Sequence, residues 1–392
     1  MRILHISNKP IYPSVDGGCV AMRQFLACLL QSDCSIKHLT IETDKHPFDR
    51  SAYPAVIREK IQPESVFIDT QVRFTAALPY LFKGGSYNVD RFYNIQLEQK
   101  IIATLKQEHF DCVLLESLFV TPYLASLRAH FSGKIIVRTH NVESDIWNDL
   151  AANTKNPFKR FVLRKLARNL RSYEINTLNQ VDGILPITAE DQLRFEKLKI
   201  RTAACTIPVA MDVRPTLKVG QGNLFHLGAM DWGPNIDAVN CLLRLFPSIQ
   251  QLIPSIQLYI AGKGAKSVLT GSFPEGVHIH DFVNNLPLFM ETAGILAAPI
   301  KSGSGVRIKI LEAMSYGIPV VSTPKGALGI DYHSSTCMLV AESDEEFVQA
   351  CVRLASSHAL RSQIGESGQK YIAEHHSIDR ISPRILEFIE RT

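Results

Sequence analysis

The chain has 392 residues, 46% of them hydrophobic and 20% charged. That composition excludes extensive disorder, and the length exceeds what one hydrophobic core usually serves, so two domains are expected. The formal net charge of +4 is too small to imply a nucleic-acid partner. The cysteines form no C-x-x-C pair, no cationic region leads into a long apolar one, and no apolar run reaches the length of a membrane span. A reducing, cytoplasmic setting without disulfides or zinc is the expectation, with attachment at the inner face of the cell membrane left open.

In chain order, Arg2–Ser7 predicts a strand, followed by a loop through Pro13 and Gly17-Gly18 and an apolar helix over Val20–Leu30. Asp111–Leu115, Lys134–Thr139 and Gly183–Ile187 read as buried strands. Thr188, with Asp191 three positions on, predicts a capped helix start. Pro208, Pro215, Gly220 and Gly222 break the pattern and predict a linker. The alternation then restarts: strand Asn223–Leu227, loop 228–235, helix Ile236–Ile253 and strand Ile256–Ala261. Further strands follow at Gly294–Pro299, Pro319–Ser322 and Cys337–Val340, with helices over Glu345–Ser356 and Ile378–Glu390. Two halves on one plan, strand then glycine loop then helix, predict an α/β protein of two doubly wound, Rossmann-like domains facing across a cleft. The boundaries are 1–206, a linker over 207–222, 223–375, and a terminal helix in 376–392 that packs back toward the first domain.

The positive excess lies in the first half, where residues 1–212 carry 27 basic and 22 acidic side chains. Residues 153–174 hold seven basic groups and one acidic. Phe158, Phe161, Val162, Leu166, Leu170 and Tyr173 recur at helical spacing on one face, and Arg160, Arg164, Arg168 and Arg171 on another. Either the apolar face is packed and the basic face solvated, or the helix meets an anionic membrane surface or a lipid-diphosphate acceptor.

The stretch from Lys301 to Met314 follows a buried strand and opens a helix. Gly303 and Gly305 let the backbone approach a ligand closely. The helix start favours an anion, and Arg307 and Lys309 add two positive charges that are unfavourable for the helix itself. Glu312, further in, could accept two hydrogen bonds from a vicinal diol such as a ribose. An ordinary glycine loop capping a surface helix fits the same local pattern.

The run GSGVRIKILEAMSYGIPVVSTPKGALGI, residues 303–330, resembles the donor segment of the group-1, or family-4, retaining glycosyltransferases. Gly17-Gly18, Arg138-Thr139-His140-Asn141, Phe225-His226-Leu227-Gly228 and Trp232-Gly233-Pro234-Asn235 extend the resemblance over most of the chain. It implies the GT-B fold and metal-independent hexosyl transfer with retention, from a nucleoside-diphosphate sugar to a saccharide or lipid-linked saccharide. The pathways implied are those of bacterial cell-surface polysaccharide or glycolipid synthesis. No cofactor is implied, since the nucleotide sugar is a co-substrate.

By the resemblance, Glu312 holds the ribose hydroxyls, with Leu311 beside it, and Arg307 and Lys309 reach the diphosphate. Gly303, Ser304, Gly305, Gly228 and Asn235 line the donor. Val283, after Phe282, reads the base through its backbone. Gly17 and Gly18 approach the phosphates or the acceptor, and His140 lies near the transferred sugar as a catalytic positioning group. Two positions depart from the family pattern: Ser304 stands where many members carry a second, sugar-facing glutamate, and 229–235 lacks the Arg and Lys found there in many. No D-x-D pair occurs, so the phosphates are expected to be stabilised by Arg307, Lys309 and helix amides rather than by a metal. Glu116 reads as a solvated carboxylate at a strand end, or as one facing the acceptor. The rival readings are an epimerase or phosphorylase on the same fold, or a non-catalytic sugar-nucleotide-binding relative.

Overall fold

The computed structural model of the chain describes residues 1–218, 222–303, 305–334 and 336–392, the side chains of residues 74 and 83 excepted. The chain divides into two compact units, Met1–Val209 with Ile381–Thr392, and Ala210–Arg380. No helix among the described residues is long and apolar enough to cross a membrane.

The first unit is built on seven strands: β1 (Arg2–Ser7), β2 (Ser35–Glu42), β3 (Glu64–Phe67), β4 (Cys112–Glu116), β5 (Lys134–Thr139), β6 (Gly183–Pro186) and β7 (Ala203–Ala204). Their order is β3-β2-β1-β4-β5-β6-β7 and every pair is parallel. Leu4, Ile6, Leu39, Ile41, Val113, Leu115, Ile135 and Val137, all one parity on their strands, join a single core. The opposite parity carries His5, Ser7, His38, Glu116 and Arg138, all buried, beneath helix Gly17–Gln31, whose Phe25 ring lies 4.4 Å from the Arg138 guanidinium carbon.

Helix Gly17–Gln31 starts three residues earlier than the apolar run predicts, because Asp16 accepts the Cys19 amide and caps it. The cap read at Thr188 is present, its side chain accepting from the Asp191 amide. The last helix, Ile378–Arg391, buries Ile381, Ile385 and Ile389. Its Ser382 hydroxyl donates to the Cys28 carbonyl, and Lys134 Nζ donates to the carbonyls of Ile389 and Glu390. Gly183 is the seat of this packing, since a Cβ there would meet Phe388 Cε1 at 2.8 Å.

The helix in the basic segment spans Pro157–Leu178. Val162, Leu166 and Leu170 are buried as expected, but Phe158 and Phe161 are each 66% exposed. The buried stripe starts at Val162, and the first turn runs out past the elements that cover it.

The second unit holds six parallel strands: β8 (Asn223–Leu227), β9 (Leu258–Ala261), β10 (Val277–His280), β11 (Gly294–Ala298), β12 (Val320–Ser322) and β13 (Leu339–Val340), in the order β10-β9-β8-β11-β12-β13. Residues 211–217, expected in a linker, are tied to this unit: the amides of Met211, Arg214 and Leu217 donate to the carbonyls of His376, Ser315 and Tyr316. In each sheet the order reverses beside the first strand, between β1 and β4 and between β8 and β11. Ligands of such sheets bind outside the carboxyl ends of the strands at that reversal.

Candidate active site

In the first unit the loops at the reversal follow β1 and β4. Asp16, the helix cap, receives both oxygens' bonds from Lys9 Nζ at 2.7 Å and one from His46 Nε2 at 2.9 Å. Burial opposes its charge, but the His46 and Lys9 contacts outweigh burial and keep the carboxyl below its ordinary range. Gly18 makes room for this hub, because a Cβ there would meet Lys9 Nζ at 2.7 Å. Gly17 opens the helix. Asp16, Cys19 and His46 are ligand-type residues in reach of one another. Lys9, however, occupies the carboxylate, and burial pushes the Cys19 thiol up to about 11, so the donor set suits an ion-pair hub better than a metal.

Strand register assembles the second feature. Glu116 lies beside Arg138 and beside Ser7, while His5 lies beside His38. Glu116 Oε1 receives Arg138 Nη1 and His140 Nε2, the latter at 2.6 Å. Oε2 is 3.1 Å from His5 Nε2, and His5 Nδ1 is 2.9 Å from His38 Nδ1. The Glu116 and Arg138 side chains are both fully buried. Glu116 is therefore neither solvated nor a carboxylate free to face an acceptor. Burial alone would raise its pKa; the Arg138 charge and the histidine hydrogen bonds instead hold it well below the usual carboxylate range. Burial lowers the His140 pKa against the pull of Glu116, which keeps the imidazole neutral. With Nε2–H given to Glu116, Nδ1 is the lone-pair nitrogen and makes no hydrogen bond to a described residue, so it is the atom this ring can offer a hydroxyl.

In the second unit the loops at the reversal follow β8 and β11. Helix Ile308–Ser315 begins after Arg307, whose own side chain does not cap it. Gly303 and Gly305 have φ of +88° and +76°, the left-handed region that glycine enters without strain. A Cβ at Gly303 would meet Arg307 Nη2 and Pro234 Cγ at 3.1 Å, so this glycine also lets the guanidinium fold back, where Nη2 donates to the Ser302 carbonyl at 2.9 Å. Ser304 lies outside the described residues.

Lys309 points inward rather than offering a free charge in the first turn. Its Nζ donates to Asn235 Oδ1 at 2.8 Å and lies 3.2 Å from His226 Nε2. His226 Nδ1–H is committed to the Ala297 carbonyl at 2.9 Å, which leaves Nε2 as acceptor. Burial, and then the Arg307 charge, pull the Lys309 pKa down to about 7; the same burial and the Lys309 charge depress His226. Gly228 packs against Asn235, whose Cγ would lie 2.6 Å from any Cβ, and Asn235 Nδ2 donates to the Ala229 carbonyl. Arg307, Lys309, Gly303, Gly228 and Asn235 thus converge.

Glu312 is partly buried one turn on, and its carbonyl accepts from the Ser315 hydroxyl. The Leu311 side chain is fully buried and its amide bonds the Arg307 carbonyl, so it supports the helix. Val283 lies in the loop after β10, half-buried beside Phe282, which is 79% exposed. Asp231 is exposed.

Sequence reasoning missed His5, His38 and His226 as partners and misjudged Glu116. The available signal was polar residues of one parity on otherwise apolar strands.

Residues 221–357 match the family described as "Glycosyl transferases group 1". Over its whole length the chain shares the fold of sucrose-phosphate synthase from Thermosynechococcus elongatus, with a TM-score of 0.72, 13% identity and 98% of that chain covered. It also shares the fold of Anabaena HepE solved with UDP-glucose, with a TM-score of 0.65, 14% identity and both chains covered completely. A Klebsiella pneumoniae protein described as an uncharacterized 44.6 kDa protein in the cps region is 23% identical over 300 residues, 71% of this chain and 74% of that one. The chain has the fold of the GT-B glycosyltransferase structures. Its second unit carries the group 1 family segment, in agreement with the resemblance read from residues 303–330.

Proposed function

We propose that the chain moves a hexosyl group from a nucleoside-diphosphate sugar to a hydroxyl acceptor, with retention and without a metal. The observation that carries this reading is the convergence of Arg307, Lys309 and the start of helix Ile308–Ser315 on a glycine loop at the reversal of the second sheet. Cations and amides fixed in a dry site stabilise a departing diphosphate at little reorganisation cost. Glu312 holds the ribose diol. His140, fixed by Glu116, receives a sugar or acceptor hydroxyl on Nδ1. The acceptor attacks from the face the diphosphate leaves, and a donor phosphate oxygen takes its proton, so no protein base is required.

The UDP-glucose bound by HepE supports a nucleotide-sugar donor, and the cps-region relative supports a role in cell-surface polysaccharide synthesis. The exposed Phe158 and Phe161, set among Lys159, Arg160 and Arg164, support cytoplasmic work at an anionic membrane surface on a lipid-linked saccharide. The deciding experiment incubates the purified protein with UDP-, GDP-, ADP- and dTDP-sugars and ranks them by thermal shift, then follows nucleotide release and the anomeric configuration of the product. Sugar interconversion without an acceptor, or no turnover with any donor that binds, would sink the proposal.

A further inference from the structure

A groove of about 770 Å³ lies along the carboxyl half of helix Pro157–Leu178, within the roughly 300–1,000 Å³ typical of small-molecule sites. It shares no lining residue with the Asp16 hub or the Glu116–His140 pair. The helix changes character along its length. Lys159, Arg160, Arg164, Lys165 and Arg168 lie toward its start and middle, whereas the face turned to the groove presents Asn169, Ser172, Tyr173, Asn176 and Thr177, an uncharged ladder about 12 Å long, with Gln180 just past the helix end. Tyr80 and Tyr93 line the groove as well, and Asp90 is its one formally charged lining residue.

Two of the tyrosines are held by their hydroxyls. Tyr173 Oη is 2.9 Å from Thr121 Oγ1 and Tyr93 Oη donates to Glu98 at 2.6 Å, while the Tyr80 ring packs 5.7 Å from the Tyr87 ring. Gly85 has φ of +76° and lies so close that a Cβ would meet the Tyr80 ring at 3.3 Å and Asp90 Oδ2 at 3.4 Å. The Ser172 hydroxyl and the Asn176 amide, by contrast, have no partner among the described residues, and both are exposed. Pre-set aromatic rings, unengaged amide and hydroxyl groups, one carboxylate and no cation suit a ligand with apolar C–H faces and many hydroxyls. They disfavour a phosphate or a nucleotide.

We propose that this groove binds a neutral oligosaccharide segment, holding a glycan acceptor at a distance from its reacting end. Its purpose rests on the glycosyl-transfer reading; the binding itself does not.

The test uses the full chain labelled with 3-fluorotyrosine and titrated with maltohexaose, cellohexaose, a hexameric oligogalacturonate, or UDP. At least one neutral hexasaccharide should shift several fluorine resonances saturably in the millimolar range, and UDP should leave those resonances in place. Asn176→Trp, which fills the groove, and Ser172→Ala, which removes a hydroxyl, should each weaken that binding, the former at least about fivefold, while affinity for the nucleotide sugar is unchanged. No shift with either neutral hexasaccharide, equal binding of the anionic one, or insensitivity to Asn176→Trp would overturn the assignment. Oligosaccharide binding without glycosyl transfer would leave the groove standing and reject the proposed function instead.

Discussion

Lys309 allows the donor-site assignment to be tested without turnover. Its ammonium lies between Asn235 Oδ1 and His226 Nε2, and burial together with Arg307 brings its pKa to about 7. A diphosphate seated against Arg307 would offset both effects and return the pKa toward the ordinary lysine range, so binding must draw in a proton. At pH 8 about nine-tenths of empty sites hold neutral Lys309, at pH 7 about half and at pH 6 about one-tenth; uptake on binding should follow those fractions. The sign is fixed: affinity is flat below pH 7 and weakens above it, toward roughly tenfold per pH unit. The assay is calorimetric titration with a nucleoside-diphosphate sugar, whose diphosphate has no ionisation near neutrality, in two buffers of different ionisation heat at each pH. Lys309→Met should abolish the buffer dependence. Equal apparent heats in both buffers at pH 8 for the unaltered protein would refute the placement of the diphosphate at Lys309.

Four further outcomes are expected. Arg307→Ala should cost roughly 2–4 kcal/mol of transition-state stabilisation, about 30- to 1000-fold in turnover; unchanged turnover would remove it from the diphosphate role. Glu312→Ala should raise donor KM by the loss of charged hydrogen bonds worth roughly 1.5–3 kcal/mol each, and unaltered donor affinity by calorimetry would end the ribose assignment. Glu116→Leu leaves Arg138 buried without its carboxylate and should destabilise the first unit by about 3–5 kcal/mol; hydrogen exchange of β4 and β5 reads this, and unaltered protection would show the network to be dispensable. Phe158→Ser with Phe161→Ser should abolish co-sedimentation with anionic liposomes while leaving the melting temperature in place, because both rings are exposed; retained sedimentation would count against membrane contact through this helix.

The sequence was most legible where an element is buried on both faces. Lys134–Thr139 and Asn223–Leu227 match the strands observed, because a short Val/Ile/Leu run between breakers has few other solutions. Ser35–Glu42 and Glu64–Phe67 escaped notice: Lys37, His38 and Glu64 interrupt the apolar signal, and only tertiary pairing accounts for them, His38 beside His5 and Lys37 paired with Glu64. At the candidate site the residue types were readable and their depth was not. Local sequence cannot say what covers a strand end, so Glu116 read as solvated until register set Arg138 beside it. For the same reason Lys309 read as a full charge, although its partners are 74 and 83 residues away. Phe158 and Phe161 obey helical spacing, but spacing does not reveal where the neighbouring elements stop.

The last helix carries a consequence for synthesis. Residues 381–392 complete the first unit although the whole of the second is translated before them. Emerging chains fold domain by domain from the amino end, so the first unit must wait, through 171 intervening residues, with Gly183 and Lys134 lacking their partners Phe388, Ile389 and Glu390. A ribosome stalled between the two units would hold a sheet still missing its final cover, and that uncovered flank is where a chaperone would find it.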